Sequence, residues 1–138
     1  NGVVWRIPGI FGGARTNGFI YNVIQKIVSG ETVPLKTAGL GYWEAMYVND
    51  LVSLMSEFIL NYNWVKPFDI FNIAYGEETD LVKTATYISN KLGRPEAIKK
   101  VGEKDYVRLY MCNDKLKSVV AVPYSYYKSL DRYMDTLL

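Results

Sequence analysis

Two kinds of apolar pattern alternate along this chain, and their order restricts the folds open to it. Near-continuous runs of β-branched and aromatic residues, at residues 3–7 and 68–74, are typical of buried strands. An amphipathic helix is predicted between them, with apolar residues at Phe19, Ile20, Val23, Ile24, Ile27 and Val28. Because such strands and helices alternate, we expect an α/β protein with few strands and about four helices.

Capping residues predict where the other helices begin. Asp50 stands where the N-cap of a second helix is expected, and Thr79 or Asp80 where that of a third is expected. Gly30 fits the C-terminal end of the first helix. A last helix is predicted after Pro123.

Extended segments and loops are predicted between these helices. Residues 32–37 and 43–48 fit short strands, and residues 106–112 fit another. We expect a loop over residues 94–105, where charges of both signs mix. No internal repeat, low-complexity segment or linker interrupts the chain, so we expect residues 1–138 to form a single unit.

Composition excludes several kinds of chemistry and several partners. The chain has no histidine and one cysteine, Cys112, so we expect no metal site and no intrachain disulfide. A net charge of +2 argues against nucleic acid as a partner, and no apolar run is long enough to span a membrane. A single unpaired cysteine fits a cytoplasmic protein. The chain opens on Asn1 inside a predicted strand, so we expect it to be a piece of a longer protein.

Glycines at positions 9, 12, 13 and 18 predict a loop between the first strand and the first helix. This order resembles the dinucleotide-binding fingerprint, in which glycines let a pyrophosphate approach the backbone at a helix N-terminus. The fingerprint fails here, because its third glycine would fall near Arg15. A tight turn after a strand is the interpretation that we favour.

A tyrosine followed four residues later by a lysine is a second pattern with chemical meaning, since the lysine can lower the pKa of a tyrosine that exchanges protons. It occurs three times, at Tyr62/Lys66, Tyr87/Lys91 and Tyr124/Lys128. Each copy lies at a helix end or off the apolar stripe of its helix. We therefore expect none of them to be catalytic.

Charged and aromatic side chains supply the remaining candidates. Arg108 begins an apolar segment, and its planar guanidinium could hold a phosphate. Tyr42 and Trp43 lie in a glycine-flanked segment, where aromatic rings can stack on sugars or bases, although they more often fill small cores.

Four segments together resemble the C-terminal half of the extended short-chain dehydrogenase/reductases, the NAD(P)-dependent nucleotide-sugar epimerases and dehydratases. No one segment is specific, but their order and spacing match across nearly the whole chain. In chain order they are residues 6–13 (RIPGIFGG), 47–50 (YVND), 71–76 (FNIAYG) with Leu92-Gly93, and 112–116 (CNDKL) with Pro123 and Ser129-Leu130.

The resemblance implies a fold and a set of site residues. The fold would be the C-terminal part of a Rossmann-type NAD(P)-binding enzyme, with an incomplete sheet. Pro8, Gly9 and Ile10 would line the nicotinamide of NAD or NADP. The residues expected to approach a small-molecule substrate, possibly a nucleotide-sugar, are Phe11, Arg15, Asn17, Phe19, Trp43 and Arg108.

The resemblance also implies what the chain lacks. The cofactor fingerprint and the catalytic Tyr-x-x-x-Lys of the family precede the segments matched here, in an N-terminal half that would be the partner of this part. We therefore expect a substrate-binding fragment of an epimerase, dehydratase or related reductase, without catalytic residues and inactive alone. Two alternatives stay open: a non-catalytic small-molecule binding module, and a protein-interaction scaffold of the same fold.

Overall fold

The computed structural model describes residues 1–36, 43–102 and 109–138, and these contain six strands and five α-helices. In chain order the elements are β1 (Gly2–Arg6), β2 (Gly9–Phe11), α1 (Phe19–Val28), β3 (Val33–Leu35), β4 (Ala45–Tyr47), α2 (Val48–Asn61), β5 (Phe68–Asn72), α3 (Leu81–Lys91), a 3-10 turn (Pro95–Ala97), β6 (Ile98–Lys100), α4 (Asp114–Lys117) and α5 (Tyr126–Leu137). Strands and helices alternate, which confirms the predicted α/β class.

The chain divides into two compact units. Unit 1 comprises Asn1–Gly13, Glu44–Glu77 and Met111–Leu138, and unit 2 comprises Ala14–Trp43 and Glu78–Tyr110. That residues 1–138 form a single unit stays a prediction.

All the strand pairs in the described part of the chain are parallel, and each sheet has two strands. In unit 1, β1 lies beside β5 with Val4 opposite Ile70, and β2 lies beside β4 with Ile10 opposite Met46. In unit 2, β3 lies beside β6. Short parallel strands with helices between them match the expected incomplete sheet.

Aromatic and aliphatic residues form the core of unit 1. Leu54 and Phe58 of α2 are fully buried, and Phe58 lies edge-on to Phe71 of β5, with ring centroids 4.7 Å apart. From α5, Leu130 and Tyr133 are also buried. Leu54 and Phe58 are four residues apart, so they lie on one face of α2, and that face packs into the core.

Helices α1 and α3 form the core of unit 2 and end in the same way. Ile20, Ile24 and Ile27 of α1 are buried, as the sequence pattern predicted. At its end, Gly30 has a φ of +80°, and the N–H groups of Gly30 and Glu31 donate to the carbonyls of Ile27 and Lys26. Glycine is the residue that reaches this conformation without strain.

Helix α3 begins at one of the two predicted caps. The Asp80 side chain accepts a hydrogen bond of 2.7 Å from the backbone N–H of Lys83, which is N-cap geometry. Gly93, with a φ of +68°, follows the helix as Gly30 follows α1.

Three predictions of local structure were wrong. Residues 9–11 of the expected glycine loop form β2, because their backbone pairs with β4. The expected loop over residues 94–105 contains the 3-10 turn and β6, which pairs with β3 despite its two lysines. Asp50 is not the N-cap of α2: Tyr47 holds that position, and Asp50 lies in the first turn.

The structure describes only residues 109–112 of the strand predicted over residues 106–112. Residues 106–108, like residues 37–42, lie outside the described residues. Residues 109–112 are not in a strand, and the N–H of Met111 donates to the Glu44 carboxylate instead.

Candidate functional site

The carboxyl ends of β1 and β5 lie at one edge of their sheet in unit 1. Arg6 and Asn72, the last residues of the two strands, are register partners, and the N–H of Ile73 donates to the carbonyl of Arg6. In parallel α/β folds, ligands bind outside this edge of the sheet. The segment that leaves β1 here is the one predicted to line a nicotinamide.

Within that segment, Pro8 is buried, Gly9 is exposed and Ile10 is half-buried. Gly9 does not need to be glycine for internal packing. A Cβ there would lie 3.5 Å from the Glu44 carbonyl oxygen, which is an ordinary contact. The predicted role of Gly9 in a cofactor site stays a prediction.

Phe11 lies in an aromatic cluster rather than on the surface, with only 5% of its area exposed. Its ring stacks on Tyr47 at 5.6 Å between centroids and meets the ring of Tyr133 at 5.5 Å. Tyr126 contacts the same ring at 6.1 Å. The side chain of Phe11 therefore fixes β2 against β4 and α5, and its predicted approach to a substrate stays a prediction.

A buried carboxylate organises the region behind this cluster. Asp50, 1% exposed in the first turn of α2, accepts hydrogen bonds from the hydroxyls of Tyr75 and Ser129 and from the guanidinium of Arg132. The positive end of the helix dipole also favours a carboxylate in the first turn. The carboxylate in turn raises the pKa of Arg132.

A second buried carboxylate, Glu44, holds the turn that follows β5. One oxygen accepts the N–H of Gly76 at 3.2 Å, and the other accepts the N–H of Met111 at 3.0 Å. Burial raises the pKa of Glu44, although these backbone hydrogen bonds lower it. Both oxygens are used by the backbone, so Glu44 stabilises the turn and is not free to act as an acid or base on a ligand.

The buried side chain of Asn113 fixes the same turn from another side. Its amide donates to the carbonyls of Ala74 and Tyr75. A Cβ on Gly76 would lie 2.5 Å from its Oδ1. The contacts of Glu44 and Asn113 together hold the turn that follows β5 in place.

Four of the residues predicted to approach a substrate form two contacting pairs in unit 2. The guanidinium of Arg15 donates to Oδ1 of Asn17 at 2.7 Å, and both residues are exposed. Phe19 and Trp43 meet edge to face at 5.4 Å, and both are half-buried. Arg108 lies outside the described residues, as does Tyr42.

The expectation that none of the Tyr-x-x-x-Lys pairs is catalytic stays a prediction. Lys66 lies 3.6 Å from Asp69, and Tyr62 donates to the same carboxylate. In α3, the ammonium of Lys91 lies 5.7 Å from the ring centroid of Tyr87.

A small surface groove of about 150 Å³ lies beside Asp69 in unit 1, with Phe71 in its wall. The ammonium of Lys115 hydrogen-bonds to Asp69, and as the largest influence it lowers the pKa of that carboxyl to about 2. The carboxylate is therefore already paired, and the groove has no group poised for chemistry.

Two features are absent from the part of the chain that the structure describes. No group of three or more cysteine, aspartate or glutamate side chains there could hold a metal ion. No helix there combines the length and the apolar character that crossing a bilayer requires.

The sequence did not predict the buried hydrogen bonds made by Glu44, Tyr75, Ser129 and Arg132. One signal was available: Glu44 opens an apolar extended segment, where a carboxylate must find partners if it is buried. Tyr75 and Ser129 lie in segments of the family resemblance, but nothing in the sequence indicated that they share a buried carboxylate.

Comparison with solved structures relates this geometry to known proteins. The structure superposes on dTDP-glucose 4,6-dehydratase from Bacillus anthracis in complex with NAD, with a TM-score of 0.78 and 19% identity, over 96% of this chain and 43% of that one. The chain has the fold of part of a sugar-nucleotide dehydratase. The predicted resemblance to extended short-chain dehydrogenase/reductases is thereby confirmed at the level of the fold.

Two other structures agree. An epimerase, Mth375 from Methanothermobacter thermautotrophicus, matches with a TM-score of 0.77 and 17% identity, over 95% of this chain and 41% of that one. MoeE5 in complex with UDP-glucuronic acid and NAD matches with a TM-score of 0.77 and 17% identity, over 99% of this chain and 48% of that one. The chain spans less than half the length of each. No protein-family model matches the sequence, and no curated protein matches it.

Proposed function

We propose that this chain is the substrate-binding part of an NAD(P)-dependent nucleotide-sugar epimerase, dehydratase or related reductase, and that it is inactive alone. The observation that carries the proposal is the common fold with structures that contain NAD, over 96% of this chain but only 43% of the dehydratase. The remainder of such an enzyme would supply the dinucleotide fingerprint and the catalytic tyrosine.

We assign Pro8, Gly9 and Ile10 to one wall of the nicotinamide site. They follow the carboxyl end of β1, and Gly9 is exposed where packing would allow a larger residue. NAD or NADP, when bound, supplies hydride transfer. The role of this chain is to orient the cofactor ring and keep water from its face.

We assign the substrate side to Phe11, Arg15, Asn17, Phe19, Trp43 and Arg108. The Arg15 guanidinium is exposed, and its Nε donates a hydrogen bond to Oδ1 of Asn17. A planar guanidinium is the side chain best suited to a phosphate oxygen. The half-buried Phe19 and Trp43 rings offer a surface for a sugar or a base.

The free edge of β1 supports the proposal that another part of the protein completes this sheet. In the described residues β1 has β5 as its one strand partner. Val4 of β1 is 45% exposed and Phe68 of β5 is 58% exposed. Parallel sheets are normally covered on both faces, and an unpaired strand edge exposes N–H and C=O groups with which a further strand can pair. We infer that the N-terminal part of the enzyme provides further strands beside β1.

Turnover by the intact protein tests this proposal. Purified enzyme is incubated with NAD or NADP and with dTDP-glucose or UDP-glucose, and the sugar product is followed by mass spectrometry. We expect conversion of at least one nucleotide-sugar. Cofactor binding without conversion of these or related carbonyl substrates would favour the non-catalytic binding module.

Two arginine variants test the substrate side in the same assay. Arg15→Ala and Arg108→Ala are each expected to raise the KM for a phosphorylated substrate. Lys36→Ala serves as the matched control, because Lys36 is an exposed cation of the same unit as Arg15. An unchanged KM would remove that arginine from the site.

A further inference from the structure

Tyr75 occupies an unusual position behind the strand assigned to the cofactor wall. It is 4% exposed, and its hydroxyl accepts the backbone N–H of Tyr47 at 3.1 Å while donating to Oδ2 of Asp50 at 2.7 Å. Tyr47 is the last residue of β4 and Asp50 lies in the first turn of α2. One hydroxyl therefore joins the end of a strand to the start of the next helix.

Tyr47 passes this constraint on to β2. It is the register partner of Phe11, and the two rings stack. The ring of Tyr47 also fills the space beside Gly12, where a Cβ would lie only 2.4 Å from it. The placement of β2 thus depends directly on where the end of β4 lies.

We propose that Tyr75 is a positioning residue for the cofactor wall, acting through Tyr47 on the strand that carries Gly9 and Ile10. This inference rests on the proposed function, since it assumes that NAD(P) lies against β2. The side chain touches neither cofactor nor substrate. Its hydroxyl fixes the end of β4, and β4 fixes β2.

The chemistry of the hydroxyl suits a permanent link. Burial, together with the neighbouring Asp50 carboxylate, raises the pKa of Tyr75. The hydroxyl therefore stays protonated and keeps donating to Asp50, while its lone pair accepts from Tyr47. A phenylalanine at this position would keep the ring and lose both hydrogen bonds.

Two variants each remove one hydroxyl that donates to Asp50. Together they separate an effect on the position of β2 from an effect on the stability of the fold. Tyr75→Phe breaks the hydrogen bond to the N–H of Tyr47 in β4. Ser129→Ala removes a donor from α5 that also hydrogen-bonds to the Tyr75 hydroxyl, and it keeps the Tyr75–Tyr47 bond. Dissociation constants are measured by calorimetry on the intact protein with NAD and NADP, and the cofactor that binds wild type more tightly is used. Measurements are made well below the melting temperature of both variants.

We expect Tyr75→Phe to raise the dissociation constant about two- to tenfold, which corresponds to the net worth of a hydrogen bond. Ser129→Ala is expected to lower the melting temperature and leave that constant within about twofold of wild type. Equal dissociation constants for wild type and Tyr75→Phe, or equal increases in both variants, would overturn the inference. Failure of wild type to bind either cofactor would instead contradict the proposed function.

Discussion

The ring of Tyr47 occupies the space that any side chain on Gly12 would require. A Cβ built on Gly12 would lie 2.4 Å from Cε2 of Tyr47, and Gly12 has a φ of +97°. The chain leaves β2 through this position, so the glycine lets the backbone pass close to an aromatic ring.

We predict that Gly12→Ala lowers the free energy of unfolding by roughly 2–4 kcal/mol, because backbone strain and overpacking add. Urea unfolding followed by circular dichroism measures the change. Gly2→Ala is the matched control, since a Cβ on Gly2 meets nothing within 4 Å. A loss in Gly12→Ala no greater than in Gly2→Ala would contradict the predicted crowding.

Asp50 should be the most costly polar residue to replace in unit 1. Asp50→Ala removes the acceptor for Tyr75, Ser129 and Arg132 at once. Arg132 is half exposed and regains water, so we expect a loss of about 2–4 kcal/mol, slightly below the usual cost of breaking a buried ion pair.

Chemical denaturation of Asp50→Ala measures this loss. The control is Asp135→Ala, which removes an exposed carboxylate from α5. Similar midpoints for the two variants would mean that the Asp50 hydrogen bonds contribute little to stability.

Asp69 should stabilise the protein near neutral pH, and this contribution should be lost in acid. Hydrogen bonding to Lys115 lowers the pKa of Asp69 from an ordinary 3.8 to about 2. The folded state therefore holds the proton less tightly than the unfolded state. The stabilisation is fully present above about pH 4, and it is lost as the pH falls through about 2.

Urea unfolding at a series of pH values tests this sign. At pH 5, Asp69→Asn should be less stable than wild type, and the difference should shrink towards pH 2. Added salt should also reduce it, because Lys115 is half exposed. A difference that is constant with pH would show that another property of the side chain causes the effect.

Glu44 should contribute a pH dependence of opposite sign. Burial raises its pKa above 4.5, so the folded state holds the proton more tightly than the unfolded state. This contribution therefore falls as the pH rises from about 4.5 through the raised value. Glu44→Gln should remove that slope, and it should also lose one acceptor for the N–H groups of Gly76 and Met111.

The Glu44 prediction is checked by the difference in unfolding free energy between wild type and Glu44→Gln from pH 4 to 8. Glu57→Gln, on the exposed face of α2, is the control. A wild-type slope in this range that survives in Glu44→Gln would assign the titration to another group.

The sequence predicted a helix correctly where an apolar stripe is followed closely by a glycine that can end the helix. The stripe of Ile20, Ile24 and Ile27 marked α1, and Gly30 marked its end, because both signals lie within a few neighbouring residues. Strand β6 was missed because two of its three residues are lysines, and only its pairing with β3 makes it a strand.

The candidate site was less accessible to sequence reasoning. Asp50 accepts from Tyr75, 25 residues away, and from Ser129, 79 residues away. No local pattern can show such partners, so Asp50 was interpreted as a helix cap. By contrast, Arg15 and Asn17 are two residues apart in the sequence, and their side chains are joined by a hydrogen bond.

Cofactor binding by two forms of the protein tests the central proposal most directly. NAD and NADP are titrated by calorimetry into the intact enzyme and, separately, into the 138-residue chain, whose folding is checked by circular dichroism. We predict a saturable isotherm for the intact enzyme and none in the micromolar range for the folded chain alone. Micromolar binding of either cofactor by the isolated chain would contradict the account, because it would place a complete dinucleotide site within these residues.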